Sequence, residues 1–404
     1  MNLFKKTLYL NLLSTIILCN VHANIPLLVE GAKSAGMGGC AVAMPQDSLV
    51  MITNPAGLSF IEDRYDLNVI SIYSHTKAKI QDNFLIPKAK YDSTPTFYIP
   101  SAGIKKEYCS LALGLCAYGR GAGTNYGEPI PIFGTTKFYS LLNQYIIKPC
   151  LSWKFNENHA IGAGVDLAIT QLKVEGLENF QLSSAYPSFV TNNGNDYKAG
   201  IGVHIGYLGR FFDKLKIGIA YDTKILTHRF NRYKGLFAER AKIDGPAIFT
   251  VGASYDITCR LVTAFDYQCV LWKNNRAFHN PLSFTDLLGT SKGSGLGFRN
   301  ENRYKFGVAY TCTDSLTLRL GYIAVQPVYA SDQLLFNVAT TSSNPNNYFT
   351  GGFTWAWDCS EINFYCAQSL NRTISTELNP LLGGGRLETK SINSVMALSF
   401  GHRF

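Results

Sequence analysis

The sequence predicts an all-β protein: a 14-stranded antiparallel transmembrane β-barrel with an N-terminal hatch (plug) segment in its lumen. Three observations lead to this fold. Blocks of about ten residues with alternating apolar side chains recur from residue 64 to the C-terminus, which is typical of barrel strands. Charged residues make up only 16% of the 404-residue chain, whereas aromatic residues reach 13%, so the surface is short of the charge that keeps soluble proteins dispersed. Beyond the N-terminal segment, no uncharged apolar run of about 18 residues occurs, so a membrane-spanning helix is not expected.

The first element is a predicted secretory signal peptide, residues 1–23. Lys5 and Lys6 precede an apolar stretch, and a V-x-A cleavage motif follows it at residues 21–23. Positive, apolar and small residues in this order are what signal peptidase recognises. The mature chain is therefore expected to start at Asn24 in an exported protein.

The second element, residues 24–63, is the predicted hatch. It precedes the first strand and has no place in the wall. A barrel of fourteen strands encloses a lumen too wide for its own inward side chains to fill, so a plug is expected. The stretch from residue 36 to residue 60 is glycine-rich, apolar and carries a single charge, which suits a barrel interior. Residues 64–404 then form the barrel.

A short motif within the hatch, Asn54-Pro55-Ala56-Gly57, predicts a fixed turn. Proline disfavours the helical region for the residue before it, which is Asn54. An asparagine side chain can also accept a hydrogen bond from the backbone two residues further on. We expect this motif to fix the backbone before the short apolar segment that follows.

The wall is predicted from the strand pattern of period two. On the strand at residues 159–170, one face carries only apolar side chains and is expected to meet lipid, while Asp166 points into the lumen. The fourteen predicted strands are residues 64–75, 94–104, 108–119, 144–155, 159–170, 196–209, 214–223, 247–257, 260–271, 304–312, 316–325, 347–357, 361–371 and 394–404.

The connections between these strands alternate between short and long. Even-numbered strands are followed by a few residues, and odd-numbered strands from the third onwards are followed by long segments such as residues 120–143. Outer-membrane barrels have short periplasmic turns and long outer loops. The last strand ends on Phe404, which is similar to the C-terminal signal read by the barrel assembly machinery. We therefore expect a multi-pass β-barrel in the outer membrane of a Gram-negative cell, in contact with outer-membrane lipids.

The stretch GMGGCAVAMPQDSLVMITNPAGL resembles the N-terminal hatch of the FadL/TodX/OmpP1 family of outer-membrane transporters for long-chain fatty acids and other hydrophobic compounds. The resemblance continues in TFYIPSAGI, in AFDYQCVLW and in GFRNENRYKFGVAY. It covers most of the chain, although the loops at 171–195, 223–246 and 372–390 look individual. The resemblance implies a 14-stranded barrel, a plug and passive passage of a hydrophobic ligand through a side opening in the wall. A monomer without a cofactor is expected.

A lateral opening is predicted between the second and third strands, marked by Pro100 and Gly114. Proline cannot donate to a sheet ladder, and glycine in a strand often marks a kink. A long acyl chain should also prefer lipid to the periplasm, since each buried CH₂ group is worth about 0.8 kcal/mol. The alternative is that Pro100 lies near a rim, where its missing donor costs nothing.

Three cations are candidates for holding the carboxylate of a ligand: Arg299, Lys305 and Arg319. Arginine can bind a carboxylate through two parallel hydrogen bonds. The alternative is that these side chains are solvated or paired with the inward-facing Asp166 and Asp266. The resemblance does not transfer the family's ligand-contacting residues to this chain.

Other classes of function fit the sequence less well. The basic residues behind the net charge of +9 are scattered, so nucleic-acid binding is not expected. The chain lacks the G-x-S-x-G and H-E-x-x-H motifs, and we do not expect an enzyme or a metal site. A general diffusion porin is the first alternative, and an outer-membrane lipid-acting enzyme is the second. The predicted ligand is a long-chain fatty acid or another hydrophobic molecule such as an aromatic hydrocarbon.

The mature chain carries nine cysteines, an odd number, so at least one is expected to be unpaired. Cys109, Cys259, Cys312 and Cys359 fall at the rim of short turns. Rim disulfides, a bridge to Cys40 in the hatch, and burial as small apolar residues are all compatible with these positions.

Overall fold

The computed structural model describes residues 31–86, 88–340 and 347–404. The predicted signal peptide, residues 1–23, lies outside the described residues, as does the start of the predicted hatch at residues 24–30. The described strands form one antiparallel sheet that closes on itself, because the first strand pairs with the last over eighteen residues. The predicted fold class, a 14-stranded closed barrel, is confirmed.

The described strands comprise seventeen segments: β1 (Arg64–Gln81), β2 (Lys88–Ser93), β3 (Thr96–Tyr108), β4 (Leu111–Asn125), β5 (Tyr139–Asn156), β6 (His159–Glu175), β7 (Asp196–Phe211), β8 (Leu215–Asp222), β9 (Leu226–Thr227), β10 (Ala247–Asp256), β11 (Leu261–Leu271), β12 (Glu301–Thr313), β13 (Leu316–Val325), β14 (Tyr348–Trp357), β15 (Ser360–Ser369), β16 (Arg372–Glu377) and β17 (Arg386–Arg403).

The described helices are short and lie outside the wall. The α-helices are α1 (Ala32–Gly36), α2 (Ala238–Ala241), α3 (Arg276–His279) and α4 (Leu334–Thr340). The 3₁₀ turns are Ser48–Ile52, Pro55–Phe60, Glu178–Ser183, Pro187–Phe189, Asn231–Tyr233, Trp272–Asn274, Ser331–Gln333 and Pro380–Leu382. Within the described parts of the chain, none of the helices has the length and hydropathy needed to cross a membrane.

The wall has fourteen strands, because three of them are each broken into two segments. The segments β2 and β3 both pair with β1 and are separated by Thr94 and Pro95. In the same way, β15 and β16 both pair with β17, and β8 and β9 both pair with β7. A proline cannot donate to a ladder, so the break at Pro95 follows directly from the sequence.

Several strands extend further at their outer ends than the sequence predicts. The predicted strand at residues 64–75 continues as β1 to Gln81, and the predicted strand at 394–404 begins as β17 at Arg386. These extensions pair with each other, with Lys77 opposite Lys390. Because these extensions carry charged side chains, the sequence pattern places them in loops. Backbone pairing does not require apolar side chains, so a ladder can continue beyond the lipid.

The two faces of the wall are those predicted. On β6, Leu167 is 49% exposed and Ile169 is 55% exposed, while the alternating residues Asp166 and Ala168 are 2% and 4% exposed. The same alternation places Lys305 on the buried face of β12 and Phe306 on the exposed face. The exposed face is apolar on strand after strand, which suits a surface in contact with hydrocarbon.

The outer loops pack into a large apolar cluster, which we call the outer cap. It draws buried aromatic side chains from five different connections, including Phe133, Phe180, Tyr233, Trp272 and Phe336. The alternating strand pattern does not predict this cluster, because its members come from several connections that are far apart in the chain. Loops that share one apolar core form a structured roof over the outer end of the barrel.

The nine cysteines in the described part of the chain are all free. The structure therefore shows neither the rim disulfides nor the bridge to Cys40 that the sequence left open. Cys40 is buried, and its Sγ lies 3.6 Å from the carbonyl oxygen of Ala264 on β11. Its surroundings suit burial as a small apolar residue.

Candidate functional site

Residues 31–63 contact the buried face of strands around the barrel, and we call them the hatch segment. Their hydrogen-bond partners come from many strands, among them Asp66 on β1, Ser152 on β5, Ser254 on β10, Asp266 on β11 and Thr350 on β14. A segment held from so many directions can fill the lumen without forming a sheet or a long helix of its own.

One anchor of the hatch segment is Asp266 on β11. Its Oδ2 accepts hydrogen bonds from the backbone N–H groups of Ala41, at 2.8 Å, and Val42, at 3.0 Å. Lys305 lies directly opposite Asp266 in the β11–β12 ladder. The inward carboxylate therefore serves the hatch backbone, in addition to facing a cation as the sequence suggested.

A second anchor is a buried ionic cluster that joins α1 to β1 and β15. Glu361 forms ion pairs with Lys33 of the hatch segment and with Arg64, whose Nη2 is 2.5 Å from Glu361 Oε1. Arg64 also binds Asp66 at 2.6 Å, and Asp66 accepts hydrogen bonds from both the backbone N–H and the hydroxyl of Ser48. Paired and hydrogen-bonded charges of this kind are compatible with burial.

The Asn54-Pro55-Ala56-Gly57 motif forms the predicted turn. Asn54 has an extended backbone, and its Oδ1 accepts a hydrogen bond from the N–H of Ala56 at 3.1 Å. Its Nδ2 donates to the carbonyl oxygens of Val42, at 2.7 Å, and Tyr207 on β7, at 3.0 Å. Asn54 is fully buried, so one side chain joins the turn, the part of the hatch segment around Val42 and the wall.

Glycines in the wall make room for the hatch backbone. A Cβ atom added to Gly162 on β6 would lie 2.5 Å from the carbonyl carbon of Pro55, and one added to Gly218 on β8 would lie 2.5 Å from that of Val42. These separations are far below a normal contact, and the neighbouring atoms are backbone. Strand glycines permit another backbone to approach closely. These two therefore form a seat on which the hatch segment rests.

Asp47 lies within the second anchor, surrounded by Lys33, Arg64, Asp66 and Glu361. Its Oδ1 accepts a hydrogen bond from the N–H of Leu49 at 3.0 Å, which caps the 3₁₀ turn that follows. Burial, together with the negative charge of Asp66, raises the pKa of Asp47 to about 6. The hatch segment therefore holds a carboxyl group that binds its proton more tightly than an exposed aspartate does.

We predict that Asp47→Asn stabilises the protein at pH 7 by about 1–3 kcal/mol, with no difference at pH 4. An unfolded aspartate has a pKa near 3.9, so the stability that depends on the protonated group is full below about pH 4 and is lost as the pH rises to about 6. Asparagine keeps the capping oxygen and carries no charge. Urea titrations in detergent at pH 4, 5, 6 and 7 check this; a difference between the two proteins that is independent of pH would contradict it.

The seam between β3 and β4 is much shorter than the neighbouring seams. The β3–β4 ladder has seven pairs, from Tyr108↔Leu111 to Ala102↔Ala117, whereas the β4–β5 ladder has fifteen. Beyond it, both strands continue in the wall, and further up the two sides are joined by a hydrogen bond from Asn125 N–H to Ser93 Oγ, at 3.1 Å. We call the stretch of wall between Ala102↔Ala117 and this bond the β3–β4 gap.

Strand β4 also changes its burial at the start of the gap. Up to Ala117 its outward residues are exposed or half-buried, but from Tyr118 to Thr124 all seven residues are buried. On β6, Ile169 at a similar height remains 55% exposed, whereas the outward residues of β5 beside this part of β4, Tyr145, Asn143 and Leu141, are half-buried or buried. The upper part of β4 thus leaves the lipid-facing surface where its ladder with β3 ends.

The two residues predicted to mark an opening lie in different places. Pro100 lies on β3 within the gap, two residues past the last ladder pair, and is opposite Val69 of β1. Gly114 lies below the gap, opposite Lys105. A Cβ atom on Gly114 would lie 2.8 Å from Leu58 of the hatch segment, so this glycine belongs to the seat of the hatch.

The structure does not bring the three predicted carboxylate ligands together. Arg319 is buried, and its guanidinium donates to Gln46 Oε1, at 3.0 Å, and to Thr354 Oγ1, at 2.6 Å. Lys305 is buried beside Asp266. Arg299 is exposed and lies at the outer mouth of the barrel. Lys305 and Arg319 thus adjoin the hatch segment, and Arg299 is separate from them.

Sequence reasoning missed a buried cluster around Lys148, which is fully buried on β5. Its Nζ lies 2.9 Å from His204 Nδ1, 3.2 Å from Asp166 and 3.5 Å from Asp222. Because an ammonium group only donates, Nδ1 is the acceptor, which leaves the ring proton on Nε2, a buried atom with no hydrogen-bond partner among the described residues. The alternation of side chains along the strands already places Lys148 and His204 on inward faces. This alternation is the sequence signal from which the cluster could have been predicted.

Comparisons with known proteins agree with this geometry. The family described as outer membrane protein transport protein (OMPP1/FadL/TodX) matches residues 29–360. A FadL homologue from Pseudomonas aeruginosa has a similar structure, with a TM-score of 0.70, 17% identity, and 95% of this chain and 100% of that chain covered.

Two toluene transporters are also similar in structure. For TodX from P. putida, the TM-score is 0.72 at 19% identity, with 94% of this chain and 99% of that chain covered. For TbuX from Ralstonia pickettii, the TM-score is 0.65 at 19% identity, with the same coverage of 94% and 99%. No curated protein sequence matches the chain significantly.

Proposed function

Because the chain belongs to the outer membrane protein transport family OMPP1/FadL/TodX, we propose that it carries long-chain fatty acids or similar hydrophobic molecules across the outer membrane by passive diffusion. The protein is an outer-membrane β-barrel of a family that transports hydrophobic compounds. In the proposed route, the ligand binds at the outer cap, moves down to the hatch segment and leaves sideways through the β3–β4 gap.

The single observation that carries this proposal is the coincidence of a filled lumen with a short seam. The hatch segment is hydrogen-bonded to the wall on many sides, so the axial path towards the periplasm is occupied. The β3–β4 ladder ends at Ala102↔Ala117, and Tyr118, the next residue of β4, shares an apolar cluster with Met51 and Leu58 of the hatch segment. A ligand that has moved down to the hatch segment would therefore meet the gap at the same level.

A sideways exit also suits the chemistry of a hydrophobic ligand. Moving an acyl chain from an apolar site into water costs about 0.8 kcal/mol for each CH₂ group, whereas moving it into lipid costs almost nothing. A gap at the level of the membrane gives the ligand this cheaper route. Passive diffusion is then sufficient, and no energy source in the periplasm is required.

The outer cap supports the first step of the route. Its buried side chains are apolar and mostly aromatic, including Phe133, Phe180 and Trp272. Aromatic and aliphatic pockets with few polar groups are typical of sites for hydrophobic ligands. Exposed apolar side chains of the outer loops, including Phe84, Leu182 and Phe284, provide a surface over this core on which such a molecule can be held before passage.

The proposal is tested with purified protein in lipid vesicles. We expect uptake of a fluorescent long-chain fatty acid or of radiolabelled toluene, and no swelling of the vesicles in isotonic sugar. Swelling with sugars as small as arabinose would contradict it in favour of a general diffusion porin. Hydrolysis of vesicle lipid would instead indicate an enzyme. The proposal would also be overturned if the folded protein, with its hatch segment intact, neither took up the hydrophobic ligand nor hydrolysed lipid.

A further inference from the structure

A groove of about 630 Å³ lies on the lipid-facing surface of the wall, across β5, β6, β7 and β8. Neighbouring strands lie about 4.8 Å apart, so a groove across four strands is about 14 Å long. None of the described residues that line it is charged. Two rows of outward apolar side chains form its sides, one with Leu151, Ala163 and Ile205 and the other with Trp153, Ile161 and Tyr207.

A small side chain deepens the groove, and the hatch segment supports its floor. Ala163 is exposed and is the smallest side chain of its row. The floor is the backbone of Gly162 and Gly206, which lie opposite each other in the β6–β7 ladder. On the lumen side, a Cβ atom on Gly162 would lie 2.5 Å from the carbonyl carbon of Pro55, and one on Gly206 would lie 3.0 Å from Pro55 Cδ. The groove is therefore backed by the hatch segment and keeps its shape.

The groove lies in the periplasmic half of the membrane-spanning wall. Its residues are close to the short turns that join β5 to β6 and β7 to β8, and short turns of outer-membrane barrels lie on the periplasmic side. Below the groove, the ring of His159 stacks with those of Phe155 and Tyr207, with centroids 6.0 Å apart in each case, and His159 Nδ1 lies 2.7 Å from the hydroxyl oxygen of Tyr207. Aromatic rings with polar tips are typical of the level of the lipid head groups. The lower end of the groove therefore adjoins the head groups of the inner leaflet, which consists of phospholipid.

We propose that this groove binds an acyl chain of a phospholipid of the inner leaflet, with the head group beside the aromatic cluster at His159. The groove opens on the surface that meets the membrane, so a lipid chain is what reaches it. Hydrophobic burial contributes little between apolar surfaces inside a bilayer, and association there depends on close packing. A chain in the groove contacts protein on three sides, whereas a chain on the convex wall contacts it on one, and each further atom pair adds a dispersion gain.

The absence of charged residues from the described lining also determines which head groups are accepted. A zwitterionic and an anionic phospholipid should bind equally well, because only the chain enters the groove. The site is separate from the β3–β4 gap, which lies two strands away, and its occupation does not depend on transport of a ligand.

The test asks whether a phospholipid stays bound beside Trp153 after extraction from the membrane. The full-length protein is reconstituted with phosphatidylethanolamine brominated on its acyl chains, extracted again in dodecyl maltoside and freed of unbound lipid by gel filtration. Bromine quenches tryptophan fluorescence at short range, so we expect weaker fluorescence than after the same treatment with unbrominated lipid. Trp153→Phe should abolish this difference. Trp355→Phe is the matched control and should preserve it, because Trp355 is similarly exposed on β14 and lies outside the groove.

Filling the groove provides a second measurement. Ala163→Phe places a ring between the two rows and should remove the bound phospholipid, as quantified by mass spectrometry of the extracted protein, while the barrel keeps its heat-modifiable migration. Ala253→Phe is the control, because Ala253 is a half-buried outward residue of β10 outside the groove. This variant should retain the phospholipid. Phosphatidylglycerol should be retained as well as phosphatidylethanolamine.

The inference would be overturned if the extracted parent protein held no phospholipid, if only phosphatidylglycerol were retained, or if Ala163→Phe retained as much lipid as the parent. A dimer in light scattering that Ala163→Phe dissociates would assign the groove to a second copy of the chain. Fatty-acid uptake that falls in Ala163→Phe while phospholipid binding is unchanged would place the groove on the transport route and would also overturn the inference.

Discussion

Replacing Pro100 with valine should lower the uptake of a hydrophobic ligand about tenfold while the barrel remains folded. The β3–β4 ladder ends at Ala102↔Ala117, and its register, if continued, would bring Pro100 opposite Gly119. Proline has no N–H, whereas valine supplies a donor and favours the strand conformation. Each regained hydrogen bond is worth about 0.5–1.5 kcal/mol, and 1.4 kcal/mol is tenfold in an equilibrium between an open and a closed seam. Vesicle uptake of a fluorescent fatty acid measures the effect.

Pro149→Val on β5 is the matched control. Pro149 is an exposed wall residue opposite Leu115, in a ladder that continues on both sides of it. Its replacement should leave uptake unchanged. Gly114 must be left intact in these variants, since a side chain there would press on Leu58 of the hatch segment. If Pro100→Val transports at the parental rate, the gap is not the route of exit.

Replacing Gly162 with valine should convert the closed barrel into a leak for small sugars. A Cβ atom at this position would lie 2.5 Å from the carbonyl carbon of Pro55, and backbone atoms cannot move aside as a flexible side chain can. The Asn54 turn would be pushed off its seat, with loss of the hydrogen bond from Asn54 Nδ2 to the carbonyl of Tyr207. We expect vesicles that contain the variant to swell in arabinose, whereas parental vesicles do not.

Gly351→Val is the control for the addition of a side chain to a wall strand. A Cβ atom on Gly351 would meet Leu320 at 3.5 Å and the carbonyl oxygen of Arg319 at 3.7 Å, which are ordinary contacts. This variant should remain closed to sugars. A closed Gly162→Val barrel, folded as judged by its heat-modifiable migration, would show that the seat does not hold the hatch segment in place.

The parts of the fold that the sequence predicts are those governed by alternation and by turn chemistry. Alternation separates the lipid face from the lumen face, and it correctly placed Asp166, Asp266 and Arg319 inside. The Asn54–Pro55 turn was also predictable, because its bonds are local. Strand ends were less predictable, since the outer parts of β1 and β17 pair through their backbones while carrying charged side chains.

The site was less predictable because it depends on contacts between residues far apart in the chain. A glycine on a strand can mark a kink or a seat, and only the position of Leu58 shows that Gly114 is a seat. Lys305 and Arg319 look like ligands for a carboxylate until the hatch segment is seen beside them. The outer cap could not be predicted either, because each loop supplies only a few of its apolar residues.

The central claim is that the ligand leaves through the wall while the hatch segment stays seated. It is tested by locking the hatch to β11. The Sγ of Cys40 lies 3.6 Å from the carbonyl oxygen of Ala264, so Ala264→Cys should permit a disulfide with Cys40, which peptide mapping by mass spectrometry can verify. Fatty-acid uptake by the oxidised variant should equal that of the same variant after reduction, with the parent protein treated in parallel. Uptake that is abolished by oxidation and restored by reduction, in the variant alone, would show that the ligand passes where the hatch segment lies.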